Sequence, residues 1–265
     1  MIIMKTINSF LITLSLVFGV STGFAQEFKY DLNQSNQIDI KNLVGEIIIE
    51  GTSGNQLIIE ASNFGKKPER ADGLKSLYGA GTTDNTDIGL QIENQGGITE
   101  IQGASKQAED AKYIFKVPKG VNVKIDYKSP FAKDIIQVKN FSSEIEIATL
   151  NKGIDLTNVT GPLVLNSING DININFASVN QEAPVSISTI NGIIDISLPT
   201  NTPAKISLRT INGEIFTNFD IDFEKKTKNG LSYIGGGQKI RGTINGGGVD
   251  VKLSTINDNI YLRKK

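Results

Sequence analysis

Apolar and polar residues alternate along most of this chain. The alternation is clearest in residues 121–126, 185–188, 194–198 and 206–209, where isoleucine, leucine or valine recurs at every second position. A period of two places apolar side chains on one face of a β-strand and polar ones on the other. Strand signals of this kind run from about residue 28 to the C-terminus. The sequence therefore predicts an all-β protein.

A four-residue phrase recurs beside these predicted strands. A glycine also stands before the earlier apolar runs, at Gly45, Gly153 and Gly161. A small recurring unit cannot bury its own apolar face and must stack on its neighbours. The phrase occurs as SING at 167–170, TING at 189–192, 210–213 and 243–246, and TIND at 255–258. We therefore predict a β-repeat domain whose clearest repeats lie in 141–265.

Two architectures compete for these repeats. Asn-Gly between alternating runs is a strong hairpin signal, since both residues tolerate positive φ, and it would give an antiparallel β-sandwich of hairpins. The glycines at 170, 192 and 213, however, are 22 and 21 residues apart. This regular spacing favours a parallel β-helix, or β-solenoid, with one coil per repeat. Stacked coils would align Asn169, Asn191 and Asn212 as a hydrogen-bonded ladder.

Two segments interrupt the repeats. Residues 63–88 are polar and irregular, and residues 222–237 are rich in lysine and glycine. Long loops in a β-protein are often functional, and loops on a rigid scaffold commonly carry recognition. We therefore expect any binding to lie in the 63–88 loop. Its basic residues could contact an acidic surface glycan: Lys66, Lys67, Arg70 and Lys75.

The N-terminus has the pattern of a secretory signal peptide. Lys5 precedes an apolar stretch at 10–20, and Gly23 and Ala25 supply the small residues before a cleavage point. The apolar stretch is only about half of the roughly 20 residues needed to span a bilayer. We predict a signal peptide at 1–25 and a single β-repeat domain at 26–265 with no membrane span. The mature protein would be secreted, periplasmic or on the cell surface.

Composition excludes much chemistry. The chain has no histidine, cysteine or tryptophan, so a Ser-His-Asp triad, a Cys-His pair and the usual zinc sites are impossible. Its net charge of −1 gives no electrostatic footprint for nucleic acid. We expect no metal, no other cofactor and no nucleic-acid partner.

Paired carboxylates are the one catalytic device that the composition leaves open. Asp171 and Glu214 each follow a turn glycine directly. If the coils stacked in chain order, the two would lie two strand spacings apart, about 9.5 Å. That distance is at the upper edge for an inverting glycosidase. A charged residue beside such a turn is ordinarily solvated, so we predict no catalytic residue.

Residues 117–123 (VPKGVNV) and 155–163 (DLTNVTGPL), together with the Ile-Asn-Gly repeats and 68–74 (PERADGL), carry a family resemblance. The chain resembles the putative-adhesin family of exported β-strand-repeat proteins, a domain of unknown function of the Bacteroidetes type. The resemblance implies a parallel β-helix-like fold, export, and no known catalytic residues.

These observations together predict an exported, non-enzymatic, adhesin-like protein of the cell envelope that binds an unidentified glycan or protein. Two alternatives stay open. One is a polysaccharide-processing enzyme on a β-helix that uses only carboxylates, lysine or arginine. The other is a structural envelope module that assembles end to end through exposed coil edges.

Overall fold

The chain winds between two long β-sheets, and most coils contribute one strand to each sheet. The computed structural model describes residues 25–65, 68–74, 81–130, 134–223 and 238–265. Within these residues the strands are β1 (Gln26–Tyr30), β2 (Gln37–Lys41), β3 (Glu46–Thr52), β4 (Leu57–Ser62), β5 (Leu90–Gln95), β6 (Ile98–Gly103), β7 (Lys112–Pro118), β8 (Asn122–Tyr127), β9 (Ile136–Lys139), β10 (Ile145–Thr149), β11 (Ile154–Val159), β12 (Leu163–Ser167), β13 (Ile172–Phe176), β14 (Val185–Ser188), β15 (Ile194–Leu198), β16 (Ala204–Thr210), β17 (Ile215–Thr217), β18 (Asp222–Phe223), β19 (Gln238–Ile244), β20 (Val249–Ser254) and β21 (Ile260–Lys264).

Helix is confined to two short 3-10 turns in the described ranges, Glu69–Ala71 and Lys106–Glu109. Neither is long and apolar enough to cross a membrane. The predicted signal peptide lies outside the described residues except for Ala25, and so do Lys66, Lys67 and Lys75 of the basic cluster and residues 224–237. The boundaries 1–25 and 26–265 stay predictions.

Strands of successive coils pair in parallel, in one register. In the described residues, sheet 1 has the strand order β1-β4-β7-β3-β9-β11-β13-β15-β21-β17, and sheet 2 has the order β18-β19-β16-β20-β14-β12-β10-β8-β2-β6-β5. In sheet 1, Ile172 lies beside Ile194 and Ile174 beside Ile196. In sheet 2, β10, β12 and β14 pair in the same manner. The strands on either side of the Asn169–Gly170 corner, β12 and β13, lie in different sheets. The predicted solenoid is confirmed, and the alternative sandwich of hairpins is wrong.

The core is built from rows of equivalent side chains. Ile154, Ile172, Ile194 and Ile260 follow one another across sheet 1, each with no exposed surface. Their neighbours in the strands point outward, as the alternation of the sequence requires. Burying one such side chain is worth about 1.5–3 kcal/mol, so the stacked rows supply the stability that the absent disulfides cannot.

The order of the coils differs from the order of the sequence at the C-terminal end. In sheet 2, β20 lies between β14 and β16, and in sheet 1, β21 lies between β15 and β17. The last coil of the chain is therefore inserted between two earlier ones. The regular glycine spacing predicted that the Gly192 and Gly213 coils are adjacent, and this is wrong, because the 249–264 coil separates them.

The N-terminal end shows the same device. The coil formed by β2 and β3 lies between the β6–β7 coil and the β8–β9 coil. Antiparallel strands flank both sheets at this end of the stack and flank sheet 2 at the other end, whereas sheet 1 ends there on the parallel strand β17. In sheet 1, β4 and β1 follow β7, and in sheet 2, β5 pairs with β6 and β19 with β16. The parallel coils are thus framed by hairpin-like partners.

The inserted coil can be tested with engineered disulfides, since the chain has no cysteine of its own. Ser186 pairs with Lys252, and Lys252 pairs with Ser207. We expect Ser186→Cys/Lys252→Cys to form an intramolecular disulfide on mild oxidation, because neighbouring strands hold the two Cα atoms about 5 Å apart. Non-reducing gel mobility and peptide mass mapping measure the bond.

The matched control is Ser186→Cys/Ser207→Cys. These positions lie two strand spacings apart, about 9.5 Å, which is too far for a disulfide. They would be neighbours if the coils followed the order of the sequence. Oxidation of this second pair, without oxidation of the first, would contradict the observed topology.

Candidate functional site

Five stacked corners form one continuous edge of the solenoid, where sheet 2 turns into sheet 1. We call this edge the corner face, and it consists of residues 149–152, 167–170, 189–192, 255–258 and 210–213, in spatial order. Backbone N–H groups bond from coil to coil along it, as from Asn169 to the Leu150 carbonyl and from Asn212 to the Ile256 carbonyl. The corner face is therefore a rigid, regularly spaced surface.

An asparagine ladder runs along the corner face. The side-chain amide of Asn169 donates to Asn151 Oδ1 at 2.8 Å, and that of Asn191 donates to Asn169 Oδ1 at 2.7 Å. Asn257 donates to Asn191 Oδ1 at 2.5 Å, and Asn212 donates to Asn257 Oδ1 at 2.7 Å. The predicted ladder is confirmed, with Asn151 added at one end and Asn257 between Asn191 and Asn212.

The glycines of the corners serve close backbone approach. None of Gly170, Gly192 and Gly213 has φ in the left-handed region. A Cβ at Gly192 would lie 2.3 Å from the Gly170 carbonyl oxygen, and one at Gly213 would lie 2.0 Å from the Asp258 carbonyl oxygen. The interpretation of these Asn-Gly pairs as positive-φ turns is therefore wrong. Glycine is required here because the stacked coils leave no room for a side chain.

In three of the five corners the first residue is a threonine that bonds to the neighbouring coil. The Thr189 hydroxyl donates to the Gly170 carbonyl at 3.4 Å. The Thr210 hydroxyl donates to the Asp258 carbonyl at 2.9 Å, and the Thr255 hydroxyl donates to the Gly192 carbonyl at 3.2 Å. All three threonine side chains are buried. At these three corners the threonine hydroxyl therefore satisfies a carbonyl of the neighbouring coil. The Ser167 hydroxyl, at the start of the second corner, is buried without a hydrogen-bond partner.

An aliphatic stripe lies beside the asparagine ladder on the outer surface. Ile168, Ile190, Ile211 and Ile256 are 36–39% exposed, whereas most isoleucines of the strands are buried. Leu150 occupies the same position in the first corner. A continuous row of exposed apolar side chains is a surface that a ligand can bind by covering it from water.

The fourth copy of the phrase, at 243–246, is not part of the corner face. It links β19 to β20, and Asn245 and Gly246 have φ of 48° and 81°. Asn245 donates to the Thr200 and Thr202 carbonyls, and Ile244 is buried. The same four letters thus form a left-handed turn here, because an antiparallel strand enters the corner instead of a parallel one.

The structure separates the two predicted carboxylates. Asp171 lies beside Ile193, whose N–H donates to Asp171 Oδ1 at 2.8 Å. Glu214 lies beside Asn259, since its own N–H donates to Asn259 Oδ1. The inserted coil places them three strand spacings apart, about 14 Å. That exceeds the two spacings predicted and the range of about 6.5–9.5 Å used by inverting glycosidases.

Other charged side chains on the outer faces are paired between neighbouring strands. Lys124 contacts Glu146 at 2.9 Å, and this hydrogen bond raises the pKa of the lysine. Arg263 binds both carboxylate oxygens of Asp195, at 2.7 and 2.8 Å. Within the described part of the chain, no three carboxylates are grouped so that they could hold a metal ion.

Lys152 is the residue that sequence reasoning missed. It occupies the position of a corner glycine, yet it is fully buried, and its Nζ donates to the Val44 and Gly45 carbonyls at 3.0 and 2.9 Å. The ammonium also lies 4.9 Å from the ring centroid of Tyr127. Burial lowers its pKa to about 8, against the opposing pull of Asp134 and Glu46.

A signal for Lys152 was present in the sequence. The stretch 149–152 reads TLNK, the corner phrase with lysine in place of glycine. A lysine at a position where the other corners have no room for a Cβ must point into the fold or distort the corner. Here it reaches past the β8–β9 coil to bond the β2–β3 corner, and so fastens the inserted N-terminal coil to the main stack.

A shallow groove accompanies the first corners. It encloses about 260 Å³ and is lined by outward-facing Asp126, Ala148 and Asn166 on one side and by Leu150 and Ile168 on the other. Lys128 closes one end, paired with Asp126 at 2.8 Å. The groove therefore combines an aliphatic wall with a polar, nearly uncharged floor.

The irregular loop contains a structural part. In 81–88, Asp84 accepts hydrogen bonds from the Thr86 and Gly89 N–H groups, and Tyr113 donates to the buried Ile88 carbonyl at 2.7 Å. Residues 69–74 are mostly exposed, Arg70 among them. Phe64, at the start of the loop, packs against the core.

A known protein family matches the part of the chain that contains the corner face. The model of the Toastrack DUF4097 family matches residues 132–263. These residues are a Toastrack domain. The match confirms the family predicted from the sequence, one of unknown function, and it covers all five corners of the corner face. No curated protein sequence matches the chain.

Two solved structures are similar to this chain. A putative cell adhesion protein from Clostridium sporogenes shares 13% identity, with 91% of this chain and 100% of that chain covered and a TM-score of 0.43. A putative adhesin from Bacteroides fragilis also shares 13% identity, with 91% and 97% covered and a TM-score of 0.37.

The buried lysine predicts a pH-dependent stability. Below pH 8, Lys152 is charged in both the folded and the unfolded chain. Between pH 8 and about 10.5 the folded protein loses this proton while the unfolded chain keeps it, so the free energy of unfolding rises with pH. We expect Lys152→Met to lack this rise, a difference of about 2 kcal/mol between pH 8 and 10.

Urea denaturation at a series of pH values measures this difference. Lys124→Met is the control, because the pKa of Lys124 is raised and its stabilisation is constant until the pH approaches the value of a free lysine. Tyr113, whose pKa is also raised, titrates equally in all the proteins. Equal pH profiles for the two methionine variants would contradict the role given to Lys152.

Proposed function

We propose that this chain is an exported, adhesin-like module of the cell envelope that binds a surface glycan or protein and catalyses no reaction. The observation that carries the proposal is the corner face. It presents exposed aliphatic side chains and side-chain amides at regular steps, and hydrogen bonds hold it rigid. A rigid surface with little charge suits binding better than proton transfer.

The arrangement of the carboxylates supports the absence of catalysis. The best pair in the sequence, Asp171 and Glu214, is too far apart to share one glycosidic bond, and both residues are exposed to solvent. Asp171 Oδ1 accepts the Ile193 N–H, so this carboxylate is held by the neighbouring corner.

Export is supported by the N-terminal sequence. A basic residue, a short apolar stretch and small residues before Gln26 fit a cleaved signal peptide. The absence of cysteine is compatible with an exported protein whose stability rests on stacked rows and ladders. The proposed location is the medium, the periplasm or the cell surface.

The non-enzymatic part of the proposal is tested with polysaccharide substrates. We expect the purified protein to release no reducing ends from a panel of plant, mucin and bacterial polysaccharides. We also expect Asp171→Ala/Glu214→Ala to change the free energy of unfolding by less than about 1 kcal/mol, since both side chains are exposed. Polysaccharide cleavage that disappears in the double variant would overturn the proposal.

The binding part is tested by attachment of the purified protein to bacterial cells of the Bacteroidetes type, the group that the family resemblance indicates. The 63–88 loop and the corner face are the two candidates for the contact. Replacing 66–80 with a Gly-Ser linker removes the basic residues of the loop and keeps Ile88 and the Asp84 hydrogen bonds. The sequence alone favoured the loop as the binding segment. Because the corner face is the more extensive ordered surface and is untouched by the replacement, we expect attachment to survive.

Loss of attachment in the linker variant, with an unchanged circular-dichroism spectrum, would assign binding to the loop. No attachment by the unmodified protein, to any envelope fraction, would contradict the proposed function as a whole.

A further inference from the structure

The groove beside the corner face continues as two rows along the solenoid. The floor row is made of outward-facing residues just before each corner: Asp126, Ala148, Asn166, Ser188, Ser254 and Arg209. The wall row is the aliphatic stripe from Leu150 to Ile211. The side chains of the middle floor positions are small, so the wall stands above the floor. In the floor row, charge occurs only at the two ends.

The middle of the floor offers hydroxyl and amide groups. The Ser188 hydroxyl donates to Asn166 Oδ1 at 2.6 Å, which orients both side chains. The section around Ala148, about 260 Å³, is just smaller than the roughly 300–1,000 Å³ of pockets that enclose a drug-sized ligand. It can therefore hold one small unit of a longer ligand.

Resting on the proposed binding function, we propose that this groove binds an extended, uncharged polysaccharide that lies along the solenoid axis. One sugar unit occupies the section between Ala148, Leu150 and Ile168, and further units follow the row toward Ser254 and Ile256. The apolar faces of the sugar rings contact the aliphatic wall, and their hydroxyls meet the amides and hydroxyls of the floor.

A peptide strand fits this edge less well. Peptides that add to a β-protein pair with free backbone groups at a sheet edge. Along the corner face the N–H groups of Ile168, Asn169 and Asn191 already donate to the preceding coil, and those of Asn257 and Asn212 continue the series. The groups that face a ligand are side-chain amides and hydroxyls, which match a polymer rich in hydroxyls.

A second copy of the chain is also a poor occupant. The aliphatic stripe is one side chain wide and five coils long, about 19 Å. Its area is far below the roughly 800 Å² per partner of a stable protein interface. A single polymer chain has the width and the length of this stripe.

Charge on the groove favours a neutral polymer over an anionic one. Lys128 is compensated by Asp126, and the floor between Ala148 and Ser254 carries no charge. On the other side of the corners, Asp171 and Glu214 add exposed negative charge that repels an anionic chain.

The test uses the purified full-length chain in affinity electrophoresis and calorimetry with neutral oligosaccharides (cellohexaose, xylohexaose and mannohexaose) and with polygalacturonate as the anionic comparison. Ala148→Tyr fills the section around Ala148 without entering the core. Asn173→Tyr places the same ring at an exposed position on the outer face of sheet 1 and serves as the control.

We expect binding to at least one neutral oligosaccharide. Ala148→Tyr should weaken it by about ten-fold or more, and Asn173→Tyr should leave it unchanged. Ile168→Ser/Ile190→Ser, which removes the wall at two exposed positions, should weaken it as well. This second variant keeps the test decisive if Ala148→Tyr disturbs the strand.

Several outcomes would overturn the groove proposal. They are preference for polygalacturonate, equal affinity in the Ala148→Tyr and Asn173→Tyr proteins, or a dimer in size-exclusion chromatography that Ala148→Tyr abolishes. Cell attachment that survives periodate oxidation of surface sugars but not protease treatment would indicate a protein ligand. If the protein attaches to cells and Ala148→Tyr has no effect, the groove fails while the proposed binding function stands.

Discussion

The structure depends on one constraint, the in-register hydrogen bonding of backbone segments about 4.8 Å apart. Each residue of a coil lies beside the residue at the equivalent position of the next coil, so a side chain that suits one coil must suit its neighbours. Isoleucine rows fill the core, asparagines bond to asparagines at the corner, and lysines meet glutamates on the outer faces. The corner glycines follow from the same spacing, since a Cβ at Gly213 would lie 2.0 Å from a carbonyl oxygen.

Parallel stacking creates a problem at its ends, where an unpaired coil would expose a row of backbone groups. The same arrangement occurs near both ends of the stack. A coil is inserted one place inward, and antiparallel strands cover the outside: β4 and β1 at one end, β19 and β18 at the other. Lys152 joins the inserted N-terminal coil to the stack through two carbonyl oxygens. End closure and coil insertion are therefore parts of one solution.

Much of this fold could be predicted from the sequence because its rules are local. Alternation fixed which side chains are buried, and the spacing of the Asn-Gly corners predicted parallel pairing of Ile172 with Ile194. The order of the coils could not be predicted, because equivalent corners carry nearly the same letters and any of them can stack on any other. The copy at 243–246 is the clearest example, since it has the sequence of a corner but forms a turn with positive φ at Asn245 and Gly246.

The candidate site was less accessible to sequence reasoning. The ladder was predicted, but the groove depends on small residues such as Ala148 and Ser188 that come next to one another only after stacking. The separation of Asp171 and Glu214 depends in turn on the inserted coil. A site made from neighbouring coils is a property of their order, which the residues of any single coil do not encode.

The inserted C-terminal coil also has a mechanical consequence. A terminal coil at the end of a solenoid is held on one side and can be peeled away bond by bond. Here β20 and β21 are bonded to coils on both sides. A pulling force applied at Lys265 along the strand direction loads both rows of hydrogen bonds in shear at once. If force is applied through Lys265, the β20–β21 coil therefore resists being pulled out of the stack more than an end coil bonded on one side would.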